Sequence, residues 1–191
     1  HVDKRVGNII QTLKDNGLYE NTIIIFAGDN GLAVGQHGLM GKQNVYEHSV
    51  GVPLMIKAAA QHTGKKTADL CYLIDVFPTL CDMLQLPVPQ SVDGISLLSS
   101  LDGKEPVRDY LYYSYMDNQR GISDGTWKLI EYHVNGKRTT QLFNLKNDPW
   151  ERNDLSEQKK YEKTIQRLRE KMAEEQKRTN DTSVFWNNFN Y

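Results

Sequence analysis

The residues best suited to chemistry lie in the stretch Gly28-Asp29-Asn30-Gly31-Leu32-Ala33-Val34-Gly35-Gln36-His37-Gly38-Leu39-Met40-Gly41-Lys42. Asp29 and Asn30 offer a carboxylate and an amide oxygen, hard ligands suited to Ca²⁺ or Mg²⁺. Neighbours in a regular strand point to opposite faces, so the two reach one ion only where the backbone turns. Gly28 and Gly31 make that turn cheap. Glycines 28, 31, 35, 38 and 41 also let the backbone approach a bound anion, and Lys42 supplies an ammonium. The plain alternative is an Asp-Asn-Gly turn with no ligand. Other motifs fail on spacing: a P-loop needs Gly where Gln36 stands and Ser or Thr where Gln43 stands. The glycines do not make G-x-G-x-x-G, and the alternating ligands of an EF-hand are absent. His37 alone reads more readily as a surface or hydrogen-bonded loop histidine than as a ligand.

This loop needs a strand before it. Ile23-Ile24-Ile25-Phe26-Ala27 is an unbroken apolar, β-branched run, which predicts a strand covered on both faces in a parallel sheet. Val52-Pro53-Leu54-Met55-Ile56-Lys57-Ala58 predicts a second. A connection of about 24 residues between them is long enough to expect function, and ligands of parallel α/β sheets sit beyond strand carboxyl ends. Val6, Ile9, Ile10 and Leu13 predict a helix closed by Asp15-Asn16-Gly17. That helix runs from the first residues, which suggests a fragment. Asp75 reads as an N-cap, with Pro78 in the first turn and Leu80, Met83 and Leu84 on one face.

The character changes near residue 104. Asp109 to Tyr115, Gly121 to Glu131 and Thr140 to Leu145 are short, aromatic-rich segments that predict an antiparallel sheet. Tyr161, Ile165, Leu168 and Met172 predict a helix from about Ser156 to Lys177 packed on that sheet, its charges forming a solvated face. The tail, Thr179 to Tyr191, is rich in Asn and aromatics and is expected to depend on packing for order. The fold class is α/β. Residues 1–104 are expected to form part of a parallel-sheet catalytic domain, and residues 105–191 a small antiparallel sheet with a long helix.

The 191 residues carry 23 Lys and Arg against 24 Asp and Glu, without the basic excess of a nucleic-acid binder in either half. No apolar run approaches a membrane span. Cys71 and Cys81 sit in apolar segments and read as two reduced core cysteines.

The order of several motifs resembles the C-terminal part of the sulfatase family, within the alkaline-phosphatase superfamily. They run from Thr22 through Gly28-Asp29-Asn30-Gly31, Gly35-Gln36-His37-Gly38 and Gly41-Lys42 to Tyr46-Glu47, Val52-Pro53-Leu54 and Asp75-Val76-Phe77-Pro78-Thr79-Leu80. They continue through Asp93-Gly94-Ile95, Trp127-Lys128-Leu129-Ile130, Leu142-Phe143-Asn144-Leu145, Asn147-Asp148-Pro149 and Asn153-Asp154-Leu155. The resemblance implies that Asp29 and Asn30 are ligands of a divalent cation, usually Ca²⁺, and that Lys42 binds the substrate's sulfate. It implies a place beside the substrate for His37. Arg120 matches a common Arg at the junction with the small sheet, where a structural ion pair is the competing role. The family's nucleophile is a formylglycine made from a Cys/Ser-x-Pro-x-Arg motif. Neither cysteine fits it, and no Ser is followed two residues later by Pro. The nucleophile and the remaining ligands are therefore expected in an N-terminal half upstream, with this chain inactive alone. The implied substrate is a sulfated small molecule or carbohydrate, and the implied location periplasmic or secreted. Two rivals are a phosphodiester or phosphonate-ester hydrolase of the same superfamily and a non-catalytic packing or dimerisation module.

Overall fold

The computed structural model describes residues 1–58 and 64–183. Its helices are α1 (Val2–Asp15), α2 (Glu47–Val50), α3 (Val76–Met83), α4 (Leu98–Leu101) and α5 (Glu162–Arg178). Its strands are β1 (Ile24–Ala27), β2 (Ala33–Val34), β3 (Met40–Gly41), β4 (Leu54–Lys57), β5 (Leu111–Tyr115), β6 (Gln119–Ser123), β7 (Trp127–Val134) and β8 (Lys137–Asn144). The class is mixed α/β, with a small antiparallel sheet and a long C-terminal helix. The packing units do not follow the change of character near residue 104. One contains His1–Gly28 and the chain from Pro53 to Thr67; the other contains Asp29–Val52 and the chain from Ala68 onward.

In the first unit, α1 ends as its sequence predicts. Gly17 takes φ +67°, and the amide of Leu18 donates to the Leu13 carbonyl. No α1 residue is buried in this chain. The expectation of parallel, doubly covered strands is corrected for this pair. β1 and β4 run antiparallel, Ile24 opposite Lys57 and Ala27 opposite Leu54, and every residue of both is half-buried or exposed. The reason is the connection. A parallel pair needs a crossover that carries the chain back to the starting end. Here the chain returns at the end it left, where the Gly28 amide donates to the Pro53 carbonyl at 3.1 Å.

In the second unit, β5 to β8 form a four-stranded antiparallel meander in sequence order. The expected strand Gly121 to Glu131 is two strands, because Asp124 to Thr126 turns the chain. The Asp124 carboxylate accepts the amides of Thr126 and Trp127, and Gly125 takes φ +80°. Asn135 and Gly136 both take positive φ, the requirement of the tight hairpin joining β7 to β8.

Both faces of this sheet are covered. Ile165, Leu168 and Met172 of α5 pack on Tyr112, Ile122, Leu129 and Leu142, with Tyr161 beside them. Ile130 and Phe143 point to the opposite face and meet Val45 and Tyr46. That second contact docks the end of the glycine-rich loop on the sheet. The charges of α5 are not all solvated, contrary to expectation. Arg169 reaches the buried carboxylate of Glu131 at 2.7 Å, and Arg167 pairs with Asp124 at 2.7 Å.

Asp75 does precede α3, but its side chain does not cap that helix. It is buried and accepts from the amides of Tyr72 and Ile95 and from Arg108. The buried face of α3 is Pro78, Thr79 and Cys81, not the expected Leu80, Met83 and Leu84. Both cysteines are free, Cys81 buried and Cys71 half-buried. The tail is held at its start, where the Ser183 hydroxyl donates to Asp117; its remainder, 184–191, lies outside the described residues.

Candidate functional site

The loop from Asp29 to Lys42 folds on itself. β2 and β3 form a short antiparallel ribbon, with Ala33 opposite Gly41 and Val34 opposite Met40. Its base is fixed at Gly31, whose amide donates to the Ser49 carbonyl at 2.9 Å. A Cβ at Gly31 would overlap the His48 carbonyl, so only glycine permits this approach. The Asp-Asn-Gly turn is thus pressed against α2.

This geometry joins the two ends of the loop. The Lys42 ammonium donates to Asn30 Oδ1 at 2.8 Å, while the Asn30 amide donates to the Gly31 carbonyl at 2.8 Å. Asp29 is exposed beside them in the chain. An amide oxygen and an ammonium therefore meet directly, and a carboxylate stands one residue away in the chain. Asp29 and Asn30 fit a hard divalent cation in kind, since both are oxygen donors and a positive group already rests on Asn30 Oδ1. Among the described residues, no cluster of three or more His, Cys, Asp or Glu could hold a metal ion.

His37 occupies the far end of the loop at φ +54°. Its ring stacks on Tyr46 with centroids 4.0 Å apart and planes 4° apart, and the His48 ring lies 5.5 Å away. His37 Nε2 lies 3.2 Å from the Trp150 carbonyl oxygen. A carbonyl only accepts, so Nε2 is the donor in this contact. His48 is held below its ordinary value, first by burial and then by repulsion from His37 and Lys128.

Arg120 is placed elsewhere. It is buried within β6, forks onto both oxygens of Asp181 at 2.6 and 3.0 Å, and donates to the carbonyls of Met116 and Gln119. This is the structural ion pair, and it does not join Asp29, Asn30 and Lys42. Burial raises the Asp181 carboxyl, but hydrogen bonds from Arg120, Tyr112 and Ser183 outweigh it, leaving it below its ordinary value.

Sequence reasoning missed one cluster. Lys128 is 0% exposed and lies 2.7 Å from Glu47 and 3.0 Å from Glu151, over the Tyr113 ring. Glu151 also accepts the Glu47 amide. The cluster ties α2, and with it the support of Gly31, to β7. Its only trace in the sequence is a lysine inside an otherwise apolar strand, Trp127-Lys128-Leu129-Ile130.

Comparison with known proteins assigns this architecture. Residues 35–178 match the family described as N-sulphoglucosamine sulphohydrolase, C-terminal, and the chain belongs to that sulfatase family. It is 30% identical to an N-acetylglucosamine-6-O-sulfatase of Bacteroides thetaiotaomicron, over 94% of this chain and 34% of that protein. It therefore spans about a third of that relative's length. A solved protein in complex with its substrate, D-glucosamine-2-N,6-O-disulfate, superposes with a TM-score of 0.80 at 28% identity, over 96% of this chain and 40% of that one. The phosphonate monoester hydrolase of Agrobacterium radiobacter superposes with a TM-score of 0.77 at 27% identity, over 91% and 38%.

Proposed function

We propose that this chain supplies part of the cation- and sulfate-binding site of a sulfuric ester hydrolase, and that it is inactive alone. One observation carries the reading: the Lys42 ammonium donates to Asn30 Oδ1 at 2.8 Å, with Asp29 next to Asn30 in the chain. Asp29 and Asn30 would hold a divalent cation, Ca²⁺ first, which would lower the cost of charge on the sulfuryl oxygens. A formylglycine nucleophile would come from elsewhere in the full-length protein.

Within this chain, Lys42 does the electrostatic work. Its hydrogen bond to Asn30 Oδ1 aims the ammonium at the place where a sulfuryl oxygen arrives, and a compact ammonium can share its three protons between them. His37, whose Nδ1 accepts when the ring is neutral, can then receive a hydrogen bond from a substrate hydroxyl. The relative named for N-acetylglucosamine 6-O-sulfate and the neighbour bound to a glucosamine disulfate support a sulfated amino sugar as substrate.

The test is turnover of 4-nitrophenyl sulfate by the full-length protein carrying Lys42→Ala. Removing one donor aimed at developing charge costs about 10² to 10³ in turnover. Lys42→Arg should rescue only in part, because a planar fork does not occupy an ammonium's site. Retention of more than about a third of wild-type kcat/KM by Lys42→Ala would remove the sulfate-binding role. The Agrobacterium neighbour favours one second reading, phosphonate-ester hydrolysis. A higher kcat/KM for 4-nitrophenyl phenylphosphonate than for 4-nitrophenyl sulfate would select it.

A further inference from the structure

Glu151 follows the turn Asp148-Pro149-Trp150 and combines two costly states: its backbone takes φ +53°, and its side chain is buried. A left-handed backbone suits glycine better than glutamate, and a buried carboxylate needs partners. Such a backbone persists only where its surroundings over-determine it. On the sheet side the turn is fixed by its own hydrogen bonds. The Glu151 amide donates to the Asp148 carbonyl, the Asp148 carboxylate accepts the Asn153 amide, and the Leu155 amide donates to the Leu142 carbonyl of β8. Both carboxylate oxygens of Glu151 are engaged: Oε2 accepts the Glu47 amide at 2.6 Å, and Oε1 lies 3.0 Å from the Lys128 ammonium. Trp150, the residue before it, offers its carbonyl to His37 Nε2 at 3.2 Å. One turn therefore holds the glycine-rich loop at His37 and α2 at its first residue.

α2 has four residues, too few to hold a helical shape alone, and its N-cap residue, Tyr46, makes no side-chain cap. The cap comes instead from Glu151, 104 residues on. What α2 carries is Gly31: the Ser49 carbonyl accepts the Gly31 amide at 2.9 Å, and the His48 carbonyl stands where a Cβ would be. Gly31 follows Asn30, whose Oδ1 takes the Lys42 ammonium at 2.8 Å. We propose that Glu151 is a positioning residue: its carboxylate holds α2 against Gly31 and so sets the aim of Lys42 through Asn30. This rests on the sulfate-ester reading of Lys42. The role requires reach to the Glu47 amide from residue 151, whereas the ion pair with Lys128 requires its charge.

The experiment separates reach from charge in the full-length protein. Turnover of 4-nitrophenyl sulfate, Tm and hydrogen exchange at the Gly31 amide are measured for Glu151→Asp and Glu151→Gln. Asp keeps the charge and accepts a positive φ readily, but it is one methylene short of the Glu47 amide. Gln keeps the reach and gives up the charge, while Lys128 stays paired with Glu47. Glu151→Asp should lower kcat/KM about tenfold, since a small misplacement of a group at the reacting centre is costly in rate. It should also quicken Gly31 exchange about tenfold. Glu151→Gln should keep both within about threefold, its cost falling on Tm. In a Lys42→Ala background the Glu151→Asp loss should shrink to less than about threefold, because the two residues act in series. A loss of kcat/KM in Glu151→Gln equal to or above that in Glu151→Asp overturns the proposal, since a buried charge alone gives that order. An undiminished loss in the Lys42→Ala background, or unchanged Gly31 exchange in Glu151→Asp, does so too. Should Glu151→Gln fail to fold, those two measurements on Glu151→Asp decide. Wild-type kcat/KM in Lys42→Ala would instead overturn the sulfate-ester reading, and the exchange rates would still decide whether Glu151 seats Gly31.

Discussion

Replacing Lys128 with Met leaves Glu151 buried and facing Glu47 with no cation between them. Met preserves most of the stem's volume, so the loss is mainly electrostatic. Breaking a buried pair by removing one partner costs about 3–5 kcal/mol. A ceiling applies here, because Glu151 can take up a proton in place of staying charged. Burial already raises its carboxyl above the ordinary 4.5, outweighing the attraction of Lys128. Keeping a carboxyl of that ordinary value protonated at pH 7 costs about 3.4 kcal/mol. Glu47 is 32% exposed and keeps part of its hydration. The expected loss is therefore about 3 kcal/mol at neutral pH, or about 6–12 °C in Tm for a chain of this size.

The sign with pH follows from linkage. A carboxyl whose folded value is raised penalises the fold above the unfolded value, and the penalty shrinks as pH falls toward it. The same substitution should cost only about 1 kcal/mol near pH 5. Lys128→Met/Glu151→Gln should recover most of the loss at neutral pH, since a Gln oxygen can still accept the Glu47 amide. Urea unfolding of the 191-residue chain at the two pH values, wild type against variant, measures each quantity. A loss below about 1 kcal/mol at neutral pH, or an equal loss at both values, would refute the reasoning.

Gly31→Ala should destabilise by about 1–3 kcal/mol, because the new methyl meets backbone rather than a movable side chain; thermal unfolding measures it, and an unchanged Tm contradicts the close approach. The chain alone should bind Ca²⁺ weakly, since Asp29 and Asn30 supply two of the six to eight oxygens the ion takes; calorimetry showing sub-micromolar affinity would contradict the partial site. His48 is held below its ordinary 6.5, so stability should be full above that value and fall as pH drops from it toward the folded value. His48→Gln should flatten that limb of the stability curve, and an unaltered limb would exclude His48 as its source.

Local patterns in the sequence were sufficient for several features. The spacing of Tyr161, Ile165, Leu168 and Met172 gave the buried stripe of α5, because helical period fixes which side chains share a face. Asn135-Gly136 marked its hairpin because few other pairs accept two positive φ values. The approach of Lys42 to Asn30 lies within one short, glycine-rich stretch, so both residues could be singled out from the sequence. Tertiary structure decided what depends on partners far along the chain. The apolar runs at 23–27 and 52–58 indicated strands but carried no direction, which was set by where the connection returns. For Arg120 the sequence left a substrate contact and a structural ion pair side by side, and the partner of the pair, Asp181, lies 61 residues on. Lys128 was a single charge in an apolar strand, and its meaning came from Glu47, 81 residues before it, and from Glu151. A charge advertises its sign locally, but burial and its counter-charge are properties of the packed chain.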